Sequence, residues 1–363
     1  MLLSNSEINL FVIDSMVYDI MKIAVVGIGV AGAYLMNQLS DLHDVHVQGF
    51  ERMPKKDHDA VCAWATCDNV MKDYAKTCGL NFDNYVLHDG KKMRVDIGDG
   101  INSGSTIDIK LKGMISYDKL KLIQDMVSGT DIVFEKVPNK KDLEQDFDLI
   151  IDSTGFHRYY LPKLHDELWI PCIQYKVKYD QVPFDDFYLK AFPLLSGYFW
   201  YFPLGNGYAH IGSGDFRRKQ THIFMDSFMK KYPCEVIKKV GRPVRITPPS
   251  KCLPFADGNK TIGVGESIGT VYALLGEGII PSTICAQLFV DNLYDKEKYF
   301  SEVLSTFKIY TNVYNFIKKR ISQNFSILRD FVELLKIYKY MKKSEDRFGM
   351  EINMLNLFKL TKI

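Results

Sequence analysis

Residues 21–51, MKIAVVGIGVAGAYLMNQLSDLHDVHVQGFE, decide how the chain is read. After Lys22, the run Ile23, Ala24, Val25 and Val26 has the pattern of a strand buried on both faces. Gly27, Gly29 and Gly32 follow at Gly-x-Gly-x-x-Gly spacing, and the helix they open sends Ala33, Leu35, Met36 and Leu39 toward a sheet. A second strand, residues 45–50, ends at Glu51. In such a unit the first glycine makes the turn, the second admits a pyrophosphate, and the third lets helix and strand approach closely. The helix N-terminus offers free N–H groups to phosphates, and an acid 24 residues past Gly27 suits the hydroxyls of an adenosine ribose. A lone glycine triplet marks no more than a tight turn. Flanked by strand, helix and acid, it predicts a dinucleotide site, and the acid, which disfavours a 2′-phosphate, narrows the nucleotide to FAD or NAD.

The length of 363 residues accommodates two domains with ample core. A formal net charge of +2 gives no reason to expect nucleic acid as a partner. The seven cysteines, Cys62, Cys67, Cys78, Cys172, Cys234, Cys252 and Cys285, are odd in number and lack paired Cys-x-x-Cys spacing. That argues against a disulfide framework and against a metal site, and it fits a reducing compartment such as the cytoplasm. No run of about eighteen apolar residues is present to span a bilayer. Residues 1–20 include an apolar patch, Ile8 to Ile13, without a basic leader or a small-residue cleavage site. They read as a loosely attached extension, or as the product of a start codon placed before Met21.

Farther along, Trp64 stands among small residues just past Cys62, and its plain reading is a core tryptophan. Residues 81–109 alternate like strands, with turns at Asp89-Gly90 and Asp99-Gly100. Ser116 is expected to open a helix carrying Leu120, Leu122, Ile123 and Met126. Residues 132–137 and 147–151 are further strands, the latter flowing into the small-residue turn Asp152, Ser153, Thr154, Gly155. From 167 to 214 the texture becomes alternating and aromatic-rich, which predicts an antiparallel sheet. Its densest part runs from Tyr198 to Pro203; in a strand Tyr198, Trp200 and Phe202 share one face and Phe199 and Tyr201 the other. Gly205 and Gly207 turn the chain into a return strand that ends at Gly212 and Gly214.

A helix is predicted over 221–231 and a second short one over 235–240. Residues 261–264 form another strand of the first sheet, followed by two glycine turns, Gly265-Glu266 and Gly276-Glu277-Gly278-Ile279, the latter opening a helix. The domains are then 21–165 with 251–296 for the dinucleotide, 166–250 for an inserted antiparallel sheet, and 297–363 for a helical tail. Basic clusters in the tail, Lys318 to Arg320 and Lys336, Lys339, Lys342 and Lys343, read first as solvated faces. The sharper alternative is a peripheral contact between these helices and an anionic membrane surface.

The nucleotide unit with Glu51 and Arg52, the cysteine after it, the Ser153-Thr154-Gly155 turn, the aromatic hairpin and the two late glycine turns together resemble the geranylgeranyl reductases. The most specific part is the pattern Tyr-x-Trp-x-Phe-Pro followed by Gly-x-Gly, met by Tyr198, Trp200, Phe202, Pro203, Gly212 and Gly214. The resemblance covers residues 22–292. It implies an α/β fold of the p-hydroxybenzoate hydroxylase superfamily: a Rossmann-like FAD-binding domain, an inserted antiparallel substrate domain and a helical tail. It also implies an FAD enzyme that saturates isoprenoid double bonds in membrane ether lipids, fed by reduced ferredoxin or NAD(P)H.

Carried over by position, Gly27, Gly29 and Gly32 hold the pyrophosphate, Glu51 with Arg52 the adenosine ribose, and Gly265 and Glu266 the ribityl and phosphate. Gly276, Gly278 and Ile279 lie under the pyrimidine end of the flavin. Cys62 lies near the ring as the best-placed proton donor, and Tyr198, Trp200 and Phe202, supported by Pro203, Gly212 and Gly214, line the prenyl cavity. The chain departs from the family at Glu266, where aspartate is usual, at Ala63 after Cys62, where glycine is usual, and at Tyr117, where arginine is usual. Two rivals remain: a flavin-dependent monooxygenase or halogenase on the same fold, and a non-catalytic prenyl-lipid binding protein that keeps FAD.

Overall fold

The computed structural model describes residues 20–57, 62–101 and 103–361, so the N-terminal extension lies outside the described residues except for Ile20. Two large sheets organise them. The first has the strand order Ala256–Asp257, Thr261–Gly263, Leu149–Asp152, Met21–Val26, Val45–Glu51, Ile132–Phe134, parallel throughout except for its first pair. Met21–Val26 sits inside it and is covered on both sides, as its apolar run predicts: Ile23 and Val25 join the main core, Ala24 and Val26 a smaller cluster with Phe50, Leu143 and Phe147. Helices Val30–Ser40 and Ile279–Asp291 pack on the main-core side, linked by a short hydrogen bond from Tyr34 Oη to Gln287 Oε1.

The second sheet has seven strands in the order Glu235–Arg245, Trp169–Lys178, Tyr208–Asp215, Gly197–Pro203, Phe187–Ala191, Lys92–Asp96, Thr106–Lys110. Its pairs are antiparallel except that Phe187–Ala191 runs parallel to Lys92–Asp96. The two strands from residues 92–110 thus extend this sheet. A third, small sheet joins Ala65–Cys67, Met114–Tyr117 and Val86–Asp89.

The hairpin divides its aromatics as expected. Phe199 is fully buried against Phe224 and Phe228 of helix Thr221–Lys231, and Tyr201, in the same cluster, is buried against Tyr179 and Phe184. Tyr198, Trp200 and Phe202 face the other way, toward the first sheet. Each buried aromatic contributes roughly 1.5–3 kcal/mol through the area it removes from water, and strand alternation lets one segment serve both cores.

Two expectations fail. Residues 235–240 are not helical but begin the edge strand Glu235–Arg245. The sequence Glu-Val-Ile-Lys-Lys-Val alternates half-buried and exposed positions, a period of two, and pairing with Trp169–Lys178 satisfies a backbone that a short helix would leave frayed. Ser116 belongs to the strand Met114–Tyr117; the helix starts at Lys119, where the Asp118 carboxylate accepts the Lys121 N–H at 3.0 Å, a stronger cap than Ser116 could form two residues earlier.

Gly212 is where the sheet is least tolerant of change. A Cβ there would lie 2.1 Å from Trp200 Cζ2 and 2.7 Å from the Ile173 carbonyl oxygen. Gly212→Ala is therefore expected to destabilise the protein by about 1–3 kcal/mol through overpacking, seen as a lowered midpoint in chemical denaturation; an unchanged midpoint would show that Trp200 can swing away.

Candidate functional site

One cavity of about 780 Å³ lies between the two large sheets and touches nearly every motif singled out above. Its first end is the glycine turn. Gly27 takes φ +89°, and a Cβ on Gly32 would stand 2.0 Å from the Gly27 carbonyl oxygen, so helix Val30–Ser40 can seat here only without side chains at the contact. Ser153 Oγ donates to the carbonyl oxygens of Val26 and Gly27 at 2.9 and 2.8 Å, tying the Asp152–Gly155 turn beside it. Gly27 and Gly29 line the cavity, whereas Gly32 is spent on packing. At the helix entrance Gly29 provides no side-chain cap and the first turn holds no acid, leaving the N–H groups and the positive dipole end exposed to an anion.

Glu51 stands at the end of its strand with Oε2 accepting the Ile28 N–H at 2.8 Å and Oε1 accepting the Met53 N–H at 2.9 Å. Backbone on both sides therefore aims the carboxylate at the turn, and Arg52 lines the cavity next to it. Gly265 takes φ +78° just behind the wall, and Glu266 lines it. The extra methylene of Glu266 carries its carboxylate to the second sheet, where Oε2 meets Arg242 Nη2 in a short ion pair and Oε1 accepts the Arg245 N–H at 2.9 Å. Partial burial, then the neighbouring Arg52 and Arg242, hold His157 below its usual pKa.

The second end is an apolar trough on the inner face of the seven-stranded sheet. Strand register lays Arg242, Cys172, Gly214, Tyr198 and Ala191 side by side in one row, and Val240, Gln174, Gly212, Trp200, Leu189 and Val95 in the next. The missing side chain of Gly212 lets the Trp200 ring lie over it, and that of Gly214, opposite Tyr198 in the hairpin, makes room for Cys172 Sγ and Ile170. Gly214, Tyr198, Trp200 and Phe202 line the cavity; Pro203 and Gly212 support it from behind. Tyr198 Oη donates to the Leu275 carbonyl at 2.5 Å, fastening the hairpin to the second glycine turn. That turn brings Gly276, Gly278 and Ile279 to the cavity at the start of helix Ile279–Asp291, again with no side-chain cap and no acid in the first turn.

Cys62 lines the wall between these ends, its carbonyl accepting the Gln174 Nε2–H at 2.8 Å. Trp64 is 5% exposed and packs edge-on to His210 at 4.7 Å, which makes it a core tryptophan beneath the Cys62 segment. Its φ of +61° costs about 1–3 kcal/mol for a bulky residue, and the surrounding contacts hold it there. All seven cysteines are free thiols.

Several residues of this site escaped the sequence reading. Gln174 is 3% exposed, and its Oε1 has no partner among the described residues; the alternation Ile170, Cys172, Gln174 along one strand face was the available signal. The helical tail walls the cavity through Met341, Arg347, Ile352, Asn356 and Leu357. It is anchored by Arg347 Nη2 on Glu277 Oε2 at 2.8 Å, in the middle of the second glycine turn, with Tyr310 and Tyr340 hydroxyls at 3.0 and 3.1 Å from the same guanidinium. Burial raises the Glu277 pKa and Arg347 pulls it back.

No known protein-family model matches the chain, and no curated protein is similar to it in sequence. Solved structures do resemble it. A geranylgeranyl bacteriochlorophyll reductase-like protein from Thermoplasma acidophilum superposes with a TM-score of 0.67 at 15% identity, over 90% of this chain and 99% of that one. PqsL, a probable FAD-dependent monooxygenase from Pseudomonas aeruginosa, gives 0.56 at 11% identity over 82% and 96%. A variant of the flavin-dependent brominase Bmp2 gives 0.59 at 11% identity over 86% and 93%. The chain therefore has the Rossmann-like α/β fold that these reductase-like, monooxygenase and halogenase proteins share.

Breaking one side of the Glu277–Arg347 pair leaves a buried charge uncompensated, so Arg347→Met is expected to cost about 3–5 kcal/mol in chemical denaturation. The double variant Arg347→Met/Glu277→Gln should recover part of that loss; equal losses would mean the pair is not coupled.

Proposed function

We propose that this chain is an FAD-dependent reductase that saturates carbon–carbon double bonds of isoprenoid chains, such as the geranylgeranyl chains of membrane ether lipids or their precursors. One observation carries the proposal: a single cavity starts at two bare glycine turns and continues into an apolar trough lined by Tyr198, Trp200 and Phe202. The residues present fit FAD. Two uncapped helix N-termini suit a pyrophosphate at Gly27 and Gly29 and an electron-rich ring edge at Gly276, Gly278 and Ile279, each contributing about 0.3–1 kcal/mol to an anion. Glu51 and Arg52 suit the adenosine ribose, Glu266 the ribityl chain, and the orphaned Gln174 Oε1 and Thr66 Oγ1 suit ring N–H groups that no side chain supplies.

Once reduced by an external electron donor, the flavin held here would supply the hydride taken by one alkene carbon, and the other carbon would take a proton. The protein's part is to hold the chain, exclude water and deliver that proton. An isoprenoid offers nothing to hydrogen bonds, so a dry aromatic wall orients it by contact alone. Cys62 Sγ is the group we assign to the proton. The rival Cys172 thiol is pushed by burial, with Glu266 adding and Arg242 opposing, up to about 12, too weak an acid to give its proton readily. The Tyr198 hydroxyl proton is committed to Leu275. Reduced ferredoxin and a nicotinamide nucleotide are the donors this chemistry admits.

Cys62→Ala is expected to retain FAD and to lose alkene reduction by about 10²–10⁴-fold; unchanged turnover removes Cys62 from the mechanism. The decisive assay mixes the reduced protein anaerobically with geranylgeranyl lipid and looks for added hydrogen pairs by mass spectrometry. Oxygen uptake coupled to an oxidised or halogenated product would favour the monooxygenase or halogenase alternative, and lipid binding without flavin reoxidation a carrier.

The cofactor assignment has its own test. A Cβ on Gly29 would meet nothing within 4 Å, and its φ of −79° suits any residue, so Gly29→Asp should fold normally. Its carboxylate would repel phosphate, and FAD binding should fall at least about tenfold, roughly 1.4 kcal/mol, in flavin fluorescence titrations of the apoprotein. Unaltered affinity would place the nucleotide elsewhere.

A further inference from the structure

Helix Ile327–Lys343 buries Asp330, Leu334, Ile337 and Met341 and turns the opposite stripe outward. The first two turns of that stripe are apolar: Leu328 is 94% exposed, Val332 63% and Phe331 44%. At 100° per residue the line Leu328, Val332, Leu335 continues to Lys339, with Lys336 and Lys343 beside it, all three lysines exposed. Among the described residues no ion pair engages Lys336, Lys339 or Lys343, and the helix's two acids, Asp330 and Glu333, are bound to Lys319 on its inner flank. The structure thereby removes one of the basic clusters noted in the sequence: Lys319 is consumed, Lys318 reaches Asp166, and Arg320 is buried. What it adds is an apolar prow that the lysine count did not show.

We infer that this stripe docks the protein on an anionic lipid bilayer, with Leu328, Phe331 and Val332 entering the interface and Lys336, Lys339 and Lys343 resting on the headgroups. Charge decides the occupant. The outward stripe carries lysines without a compensating acid, so a second copy of this chain would bring lysine against lysine or against leucine, whereas anionic headgroups attract each of them. Among the described residues no helix is long and apolar enough to cross a membrane, so the helix lies along the surface. Met341, on the buried side of the same helix, lines the cavity. The docking surface and the wall of the proposed lipid site are thus two faces of one element, a link that rests on the proposed function, although the docking itself does not.

The test is flotation of the full chain with vesicles of saturated phosphatidylglycerol and phosphatidylcholine, against phosphatidylcholine alone. Binding should require the anionic lipid and weaken in high salt. It should fall about fivefold or more in Leu328→Asp/Val332→Asp, while Lys336→Glu/Lys339→Glu should lose the preference for anionic vesicles; melting temperatures should not move, because these side chains are exposed. Phe331→Trp should show fluorescence quenched by brominated acyl chains. Variants that float like the parent overturn the inference, as does a parent that ignores vesicles and sediments as a dimer dispersed by Leu328→Asp. Saturated vesicles offer no alkene, so flotation without any later reduction of geranylgeranyl lipid would sink the reductase proposal and leave the docking surface standing.

Discussion

The whole arrangement depends on how closely backbone meets backbone where strand Met21–Val26 ends. Gly27 lies against the Ser153 carbonyl and Gly32 against Gly27 itself, distances at which a single methyl group would force the helix off the sheet. That contact fixes the depth at which helix Val30–Ser40 sits, and so the height of its N-terminus above the sheet. It also sets the register Val26 to Phe50 and Val26 to Asp152, which brings Glu51 and the Ser153 turn to the same spot from opposite sides. The anion-binding end of the cavity is a by-product of close packing: where side chains are excluded to let elements touch, N–H groups are left uncovered.

The second sheet applies the same device to apolar surface. Trp200 lies over Gly212, Cys172 Sγ fills the space over Gly214, and Tyr198 pairs with that glycine across the hairpin. A one-residue slip of the hairpin would send Phe199 and Tyr201 into the cavity and strip helix Thr221–Lys231 of its partners. The outer core therefore enforces the register of the inner wall. A cavity between sheets is costly to keep open, since unfilled volume forfeits contacts; here two independently packed layers bear that cost.

How much of this the sequence disclosed follows from the range of the interactions involved. The strand, glycine turn, helix and acid of residues 21–51 are local, and each reads from its own neighbours. The hairpin's two faces are legible for the same reason, since alternation needs only six residues. The strand Glu235–Arg245 was misread because its lysines, at positions 238 and 239, and Gly241 weaken the period of two, and what makes it a strand is its long pairing with Trp169–Lys178, more than fifty residues away in the sequence. Gln174, Arg242 and the Arg347–Glu277 pair were invisible for the same reason. Nothing in the neighbourhood of Arg347 marks it as the anchor of the tail, because its partner lies 70 residues upstream.

The charge distribution inside the cavity limits what can enter it. Arg52, His157, Arg242 and Glu266 line it with the glycine turns, Lys119, Arg347 and Glu351 add charge elsewhere, and Met93, Val95, Ile109, Leu189, Trp200 and Phe202 give it an aliphatic and aromatic wall. An ionic group pressed against that apolar wall would be stripped of water without compensation, a penalty of several kcal/mol. A ligand with a charged end therefore keeps that charge beside the ionic lining residues and its hydrocarbon against the apolar wall. A substrate whose reactive atoms sit at a polar group would have to bring that group into the trough, where Gln174, Thr66 and Trp200 have buried polar atoms without a partner among the described residues. A long, neutral, unsaturated chain meets no such obstacle, and its double bonds recur along its length, so sliding the chain presents one after another to the same wall. This apolar wall, more than the likeness of fold, is what the proposed isoprenoid substrate rests on.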